Sequence, residues 1–374
     1  MESENNDLKR IFSGKDLAKL IFPLVIELML TLLVGMIDSV MVSSAGEAAV
    51  SGVSLVDTVF QLLIYIFSAF GTGGAVVAGQ YLGAGQKNNA KETAQQLVWF
   101  SAFSSIVIMV LIYLIRGFLL GHVYGAITQE VHWNANRYLM IVGLSIPALS
   151  VYESGAAIFR TMGNSKITMM LSAIMNVVNI CGNALLIYVF KMGTAGAATA
   201  TVVARYTAAV IMILLLLRTN HPLYLQRTLK YIPDGNKIKR ILQIGVPNGI
   251  ENGLFQVGKI ILAGLFTHFG TSAITANAVC LTISGIQVIP GSAISLAATT
   301  VIARCVGAGD VRFAMITSVA SMFVFRLGAA YLFALTFGMG ALGIWYAMLC
   351  DWGFRAIVFS LRWISGGWKN KSII

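Results

Sequence analysis

One acidic residue lies deep in an apolar stretch near the start of the chain. Asp38 is, with Glu27, one of only two charged residues between positions 20 and 43. A charged side chain costs roughly 3 kcal/mol or more to place in hydrocarbon, so it usually faces a water-filled cavity or a partner. We predict that Asp38 binds and releases H⁺ or Na⁺; the alternative is a structural carboxylate that is hydrogen-bonded to neighbouring helices.

Uncharged oxygen ligands for such an ion lie in two later stretches. Asn179 and Asn183 are four residues apart, so they share one face of a helix. Amide oxygens can bind a hard cation, and Thr201 adds a hydroxyl group. The sequence therefore predicts a cation-coupling site of Asp38, Asn179, Asn183 and Thr201 that could hold Na⁺. The alternative is that the two amides only form hydrogen bonds between helices.

Two glutamates are secondary candidates for cation coupling. Glu27 and Glu251 each follow a proline, Pro23 or Pro247, by four residues. A proline inside a helix leaves a backbone carbonyl without its usual donor, so polar groups often collect near it. Polar packing is the alternative role for both glutamates.

The remaining charges in apolar stretches are mostly cationic. Asp351 and Arg355 are four residues apart, which predicts a structural salt bridge on one helix. Arg205, Lys259 and Arg326 also stand in apolar surroundings. We expect these three at helix ends, or with their charged groups reaching toward the membrane interface.

These side chains must be positioned by helices that cross a bilayer. The chain is 57% hydrophobic and only 11% charged, against about 25% charged residues in a soluble domain. A span needs about 20 apolar residues. The sequence predicts an all-α, polytopic transmembrane bundle in contact with membrane lipid. The ten predicted spans are 20–43, 54–82, 94–115, 137–158, 167–190, 195–217, 241–268, 273–302, 313–337 and 340–362.

The basic residues indicate the orientation of the bundle. Of the 26 Lys and Arg residues, 19 fall in alternate gaps that include both ends of the chain, and the opposite gaps hold only Arg116, Arg137 and Lys191. The positive-inside rule then places both termini in the cytoplasm. We attribute the net charge of +11 to these loops and expect no nucleic-acid binding, because the cations form no folded basic face.

The chain contains an internal repeat with a gap in it. Residues 21–27 correspond to 245–251 at an offset of 224, whereas residues 163–166 correspond to 309–312 at an offset of 146. Gly193 and Gly196 pair with glycines one residue further on. The 78-residue difference leaves about residues 86–163 without a counterpart. Either two helices were lost between two similar loops, or the fold never had them.

The repeat predicts two pseudo-symmetric lobes. We assign residues 1–220 to an N-terminal lobe of six helices, 221–240 to a cytoplasmic linker, and 241–374 to a shortened C-terminal lobe of about four helices. Parallel repeats related by an axis along the membrane normal are typical of transporters, whose binding sites lie near the bilayer midplane.

Several motifs occur in an order that resembles the MATE (multidrug and toxic compound extrusion) family of the MOP superfamily. The resemblance covers nearly the whole chain. The motifs are Pro23-Leu24-Val25-Ile26-Glu27, Gly35-Met36-Ile37-Asp38-Ser39-Val40-Met41-Val42, Gly79-Gln80-Tyr81-Leu82-Gly83-Ala84-Gly85, Phe159-Arg160-Thr161-Met162-Gly163-Asn164, Gly193-Thr194-Ala195-Gly196-Ala197-Ala198-Thr199-Ala200-Thr201 and Asp351-Trp352-Gly353-Phe354-Arg355.

This resemblance implies a function as well as a fold. MATE transporters have twelve helices around a V-shaped cavity and export organic cations and drugs in exchange for Na⁺ or H⁺, with no cofactor beyond the coupling ion. We therefore expect a multidrug efflux antiporter in the cytoplasmic membrane, acting as a monomer. Against the family pattern, this chain lacks helices nine and ten.

Three alternatives remain at this stage. One is a lipid-linked oligosaccharide flippase of the same superfamily, and another is a truncated member with little transport activity. The third, a membrane enzyme, is disfavoured because the histidines have no metal-binding spacing and no phosphate-binding glycine loop occurs. The histidines are His122, His132, His221 and His268.

Overall fold

The computed structural model describes residues 14–123, 128–226, 232–269, 271–304 and 311–366, and all regular elements in these ranges are helical. Residues 309 and 310 of the repeated segment 309–312 lie outside them, as do Lys9, Arg10, Lys369 and Lys371. The α-helices are α1 Gly14–Ser43, α2 Glu47–Gly83, α3 Lys87–Phe118, α4 Gln129–Val142, α5 Ile146–Thr161, α6 Ser165–Asn183, α7 Thr194–Leu216, α8 Gly235–Thr267, α9 Thr271–Arg304, α10 Val311–Ser321, α11 Ala329–Tyr331 and α12 Gly340–Ile364.

Short π-helical segments extend or join several of these helices. They are Leu119–Val123, Ala184–Val189, Met322–Gly328 and Leu332–Thr336. Helices α10 and α11 and the last two π-helical segments therefore form one continuous rod. A 3-10 turn, Gly143–Ser145, joins α4 to α5 just before Pro147. The fourth predicted span, 137–158, is thus a bent rod whose N-terminal end lies eight residues earlier than expected.

Nine helical segments in the described part of the chain are long and apolar enough to cross a membrane. The sequence predicted ten spans, and the tenth is α8, which has 33 residues. Its polar residues Asn248, Glu251, Asn252 and Lys259 lower its hydropathy. Helix α8 is long enough to span, and it packs against α2.

Helix α2 lies at the centre of the first half of the molecule. Small residues let its neighbours approach closely, as is usual between membrane helices. A Cβ added at Gly52 would lie 2.8 Å from the Ala135 backbone nitrogen of α4, and one at Gly71 would lie 3.1 Å from the Ala157 Cβ of α5. Phe67 is fully buried in the core between these helices.

The second half packs around two separate clusters. Leu262 and Phe266 of α8 meet Ala330 and Ile344 in one buried cluster. Helix α9, in contrast, packs on α1 of the first half in a second cluster of Leu20, Leu24, Ala293 and Ala297. Helix α9 therefore connects the two halves.

The halves also contact each other through α2 and α8. A Cβ added at Gly73 would overlap the backbone of Ile241 and would lie 3.0 Å from the nitrogen of Gly245. Beyond the contact of Leu32 with Gly285, the last part of α1 is largely exposed. The two halves are thus packed together at the end where α2 finishes and α8 begins.

Polar contacts reinforce this closed end. The Arg240 guanidinium donates to the Tyr81 hydroxyl, and Lys237 forms an ion pair with Glu92. Gln96 Nε2 donates to the backbone oxygen of Ile232 at 2.7 Å. These contacts fix the linker-side end of α8 against α2 and α3.

Asp234 begins α8 as its N-cap residue. Its Oδ1 accepts hydrogen bonds from the backbone N–H groups of Asn236 and Lys237 at 3.0 and 3.2 Å. The bond from Lys237 contributes most to lowering the pKa of the Asp234 carboxyl group. An aspartate at this position satisfies two of the free N–H groups that open a helix.

Candidate functional site

The structure brings Asp38 of α1 against Asn183 of α6. Asn183 Nδ2 donates to Asp38 Oδ1 at 2.8 Å and lies 3.3 Å from the side-chain amide of Asn179. Asn183 is the last residue of α6, and the π-helical segment Ala184–Val189 follows it directly. Such π-helical turns often occur at functional sites, because they change which side chains share one face.

The Asn179 amide completes the contact when its nitrogen faces the carboxylate. In this orientation Nδ2 donates to Asp38 Oδ1 at 2.7 Å, and the amide oxygen accepts from the Thr201 hydroxyl at 3.2 Å. The four residues predicted as the cation-coupling site therefore form one cluster on α1, α6 and α7.

One acceptor in this cluster is unused. Asn183 Oδ1 is buried and has no hydrogen-bond partner. Together with Asp38 and Thr201 it supplies oxygen ligands only, which suits a hard cation such as Na⁺ or a protonated carboxyl group. Within the described residues, no group of three His, Cys, Asp or Glu side chains could hold a transition metal.

A cavity of about 120 Å³ opens beside Asp38, and it contains charged groups that sequence reasoning undervalued. Asp57 of α2 and Arg205 of α7 both line it. The Tyr138 hydroxyl donates to Asp57 Oδ1 at 3.4 Å. Arg205 Nη1 donates to Ser145 Oγ at 2.8 Å, so this arginine is inside the bundle and not at a helix end as expected.

A larger cavity of about 440 Å³ runs from Asp38 to Glu27 through the first half. Glu27 is buried at its far end, where Oε1 accepts from Arg160 Nη2 and Oε2 accepts from Thr168 Oγ1, both at 2.6 Å. Arg160 neutralises the charge of Glu27, and the two contacts together link α1 to α5 and α6.

Glu153 also lines the larger cavity. No described residue forms a hydrogen bond or an ion pair with it, so its carboxyl group faces the cavity without a partner. It stands near the C-terminal end of the predicted span 137–158, so its position in the sequence did not single it out.

Glu251 does not share the environment of Glu27 despite the repeat. It is partly buried in α8 and lines neither of the cavities in the first half. Glu27 is paired with Arg160 of α5, which belongs to the segment that the second half lacks. The repeat therefore conserves the position of the glutamate and not its partner.

Asp351 and Arg355 form the salt bridge that their spacing predicts. Arg355 Nη2 lies 2.6 Å from Asp351 Oδ2, and its Nε donates to Oδ1 at 3.0 Å. Arg326 adds a second cation, with Nε 3.2 Å from Asp351 Oδ2. Arg326 is only 6% exposed, so the expectation that it reaches the membrane interface was wrong.

Comparison with known proteins shows which families and structures the chain is similar to. The profile of the family described as MatE matches residues 23–185. A relative from Bacillus subtilis (strain 168), described as the uncharacterized transporter YisQ, is 24% identical over 96% of this chain and 95% of its own length. Residues 23–185 therefore match the MATE family, and nearly the whole chain is similar to a transporter.

Further relatives and solved structures show the same similarity. A probable multidrug resistance protein NorM from Thermotoga maritima is 26% identical over 79% of this chain, but the match spans only 64% of that relative. A crystal structure of MATE in the straight conformation superimposes with a TM-score of 0.83 at 17% identity, covering 94% of this chain and 96% of the other. An outward-facing multidrug resistance MATE transporter of the MOP superfamily gives 0.81 at 16% identity, covering 92% and 93%.

The YisQ alignment also bears on the gap in the repeat. The alignment extends over 439 columns. The aligned 96% of this 374-residue chain fills about 360 of these columns. About 80 columns therefore hold residues of the relative alone, close to the 78 residues by which the two repeat offsets differ.

Proposed function

We propose that this MATE family member exports organic cations, including drugs, across the cytoplasmic membrane in exchange for H⁺ or Na⁺. The observation that carries the proposal is the Asp38 carboxylate, held by two amide donors at the edge of a cavity and next to the unused oxygen of Asn183. Relatives described as multidrug resistance proteins support the substrate class.

The charges in the first half suit exchange between two cations. Glu27 is neutralised by Arg160, whereas Asp38 and Glu153 line the 440 Å³ cavity without a salt bridge. A cavity of this size can hold a small organic molecule. A cation attracted by these carboxylates competes with H⁺ or Na⁺ at Asp38, so binding of one favours release of the other.

The contacts between the halves support an outward-open state. If the termini are cytoplasmic, the closed end formed by Gly73, Tyr81 and Arg240 faces the cytoplasm, and the separated ends of α1 and α9 face outward. Transport then requires this closed end to separate, as in alternating access.

Ethidium efflux from cells that express the chain tests the proposal. We expect efflux that is abolished by Asp38→Asn, while Asp234→Asn, the same chemical change in the linker, leaves the rate unchanged. Equal membrane insertion of the variants is checked by fluorescence size-exclusion chromatography. Efflux unaffected by Asp38→Asn would refute the coupling role of Asp38. No efflux from well-inserted wild-type protein would favour the truncated-member alternative.

A further inference from the structure

A third cavity, of about 290 Å³, lies in the second half between α8, α9, the π-helical segment Met322–Gly328 and α12. Its walls are largely apolar and aromatic. Its most hydrophobic lining residues are Leu262, Phe266, Leu281, Trp345, Met348 and Trp352. The charged side chains at its surface are Lys259 and Arg326.

The repeat shows that this cavity corresponds to the one beside Asp38. At the offset of 224, Asp38 pairs with Leu262 and Asp57 pairs with Leu281. Both aspartates line the first cavity, and both leucines line the second. The acidic groups of the first site are therefore replaced by apolar ones in the second.

The same comparison explains the new positive charges. Gly35, which lines the first cavity, pairs with Lys259 in the second. Arg326 lies in the π-helical segment Met322–Gly328, which has no equivalent in α6. The offset between the two halves is 146 residues before this segment and 147 residues after it, where Gly193 pairs with Gly340. One extra residue in this segment accounts for the change. The π-helical turn turns Arg326 toward the cavity.

The positive charge in this region exceeds the negative charge. Asp351 is fully buried and already accepts from Ser321 and Arg355, so it balances only one of the two arginines beside it. Arg326 Nε is buried and makes no hydrogen bond of good geometry. No carboxylate of the described residues lies within 4.0 Å of Lys259. Lys259 and Arg326 thus face one apolar cavity with two positive charges in excess.

We propose that this cavity binds the anionic group, a carboxylate or a phosphate, of an organic anion with an apolar body. The buried Arg326 shares the single Asp351 carboxylate with Arg355, and Lys259 has no ion pair, so an anion placed between Lys259 and Arg326 would compensate both charges. The aromatic walls of Trp345 and Trp352 would hold the apolar part. This site is distinct from the cation site in the first half and does not depend on the proposed export function.

Binding of paired naphthalene compounds tests the proposal on the full chain. Purified protein in phosphatidylcholine nanodiscs is dialysed against radiolabelled 1-naphthaleneacetate or its uncharged analogue 1-naphthaleneacetamide. We expect saturable binding of the acid that is about tenfold tighter than binding of the amide, equivalent to about 1.4 kcal/mol. Equal affinities, or no saturable binding of the acid, would overturn the proposal without the need for any variant.

Two substitutions at one position then locate the site. Lys259→Gln should weaken binding of the acid about tenfold and leave the amide unaffected, whereas Lys259→Arg should retain both affinities. Because Lys259 is exposed and makes no ion pair, neither change should disturb folding. Lys87→Gln, at the exposed start of α3, is the matched control. An unchanged preference for the acid in Lys259→Gln would contradict the assignment.

The lipid of the nanodisc distinguishes two sources of the anion. If phosphatidylglycerol abolishes binding of naphthaleneacetate to the wild type, the occupant is an anionic lipid headgroup. If binding persists in phosphatidylglycerol, the site selects a free organic anion. Both results retain the anion site, and Asp38→Asn should leave both unchanged, which separates this inference from the export proposal.

Discussion

Arg160 of α5 donates to Glu27 of α1 across a distance of 2.6 Å, and both side chains are largely buried. The pair links the first helix of the bundle to the fifth, and Thr168 of α6 holds the second carboxylate oxygen. A carboxylate that is fully paired in this way cannot readily exchange ions. Glu27 therefore stabilises the wall of the cavity in which Asp38 and Glu153 remain available.

Removal of one partner from this pair should destabilise the fold. Arg160→Met leaves the buried Glu27 charge uncompensated, for which a loss of about 3–5 kcal/mol is typical. Thermal unfolding in detergent should show a lower midpoint, and the double variant Glu27→Gln with Arg160→Met should recover part of the loss. Glu251→Gln is the control and should change little. Equal midpoints for Arg160→Met and the wild type would contradict the structural role.

A second carboxylate beside Asp38 should change the pH dependence of transport. In Asn183→Asp the new carboxylate would lie within hydrogen-bonding distance of Asp38, where two like charges cannot both be ionised. One proton is then retained to higher pH, so the pH profile of ethidium efflux should shift to alkaline values. Asn183→Ser, which adds no charge, serves as control. A profile identical to that of the wild type would show that this pair does not carry the proton.

Glu153 should contribute to attraction of the substrate and not to coupling. Its unpaired carboxylate lines the 440 Å³ cavity, and a unit charge about 8 Å from a bound cation contributes about 2 kcal/mol at an effective dielectric constant near 20. Glu153→Gln should raise the KM for ethidium by up to about thirtyfold, the factor equivalent to about 2 kcal/mol, and leave the maximal rate nearly unchanged. Loss of rate at unchanged KM would instead place Glu153 in the coupling step.

Helical spacing explains which parts of the site the sequence could predict. Asn179 and Asn183 share a helix face, and Asp38 is costly in hydrocarbon, so each was recognisable within its own segment. Whether Thr201 and Asp57 join them depends on how separate helices pack, which no single segment encodes. Arg205 was misplaced for the same reason, since only tertiary contacts with Ser145 and Phe60 show that it faces inward.

The second half shows another feature that the sequence pattern does not predict, which is the direction of a side chain after a single inserted residue. The lengths of the apolar stretches predicted the all-α fold, and residues that recur at constant offsets predicted the gap. The position of Arg326 depends on a single extra residue in a π-helical segment. A hydropathy pattern with a period of 3.6 residues does not reveal such an insertion, so Arg326 was expected at the interface and is in fact buried beside Asp351.

Close packing at Gly73 should determine whether α2 and α8 stay together at the closed end. A Cβ at this position would overlap the Ile241 backbone, so Gly73→Ala should force α2 and α8 apart and destabilise the closed end. A cysteine pair at positions 92 and 237, in a background without the native cysteines, should crosslink readily in the parent chain and several times less in Gly73→Ala. Gly253→Ala, which has open space around it, should crosslink like the parent. Equal yields in all three chains would mean that the contact between Gly73 and Ile241 does not hold the halves together.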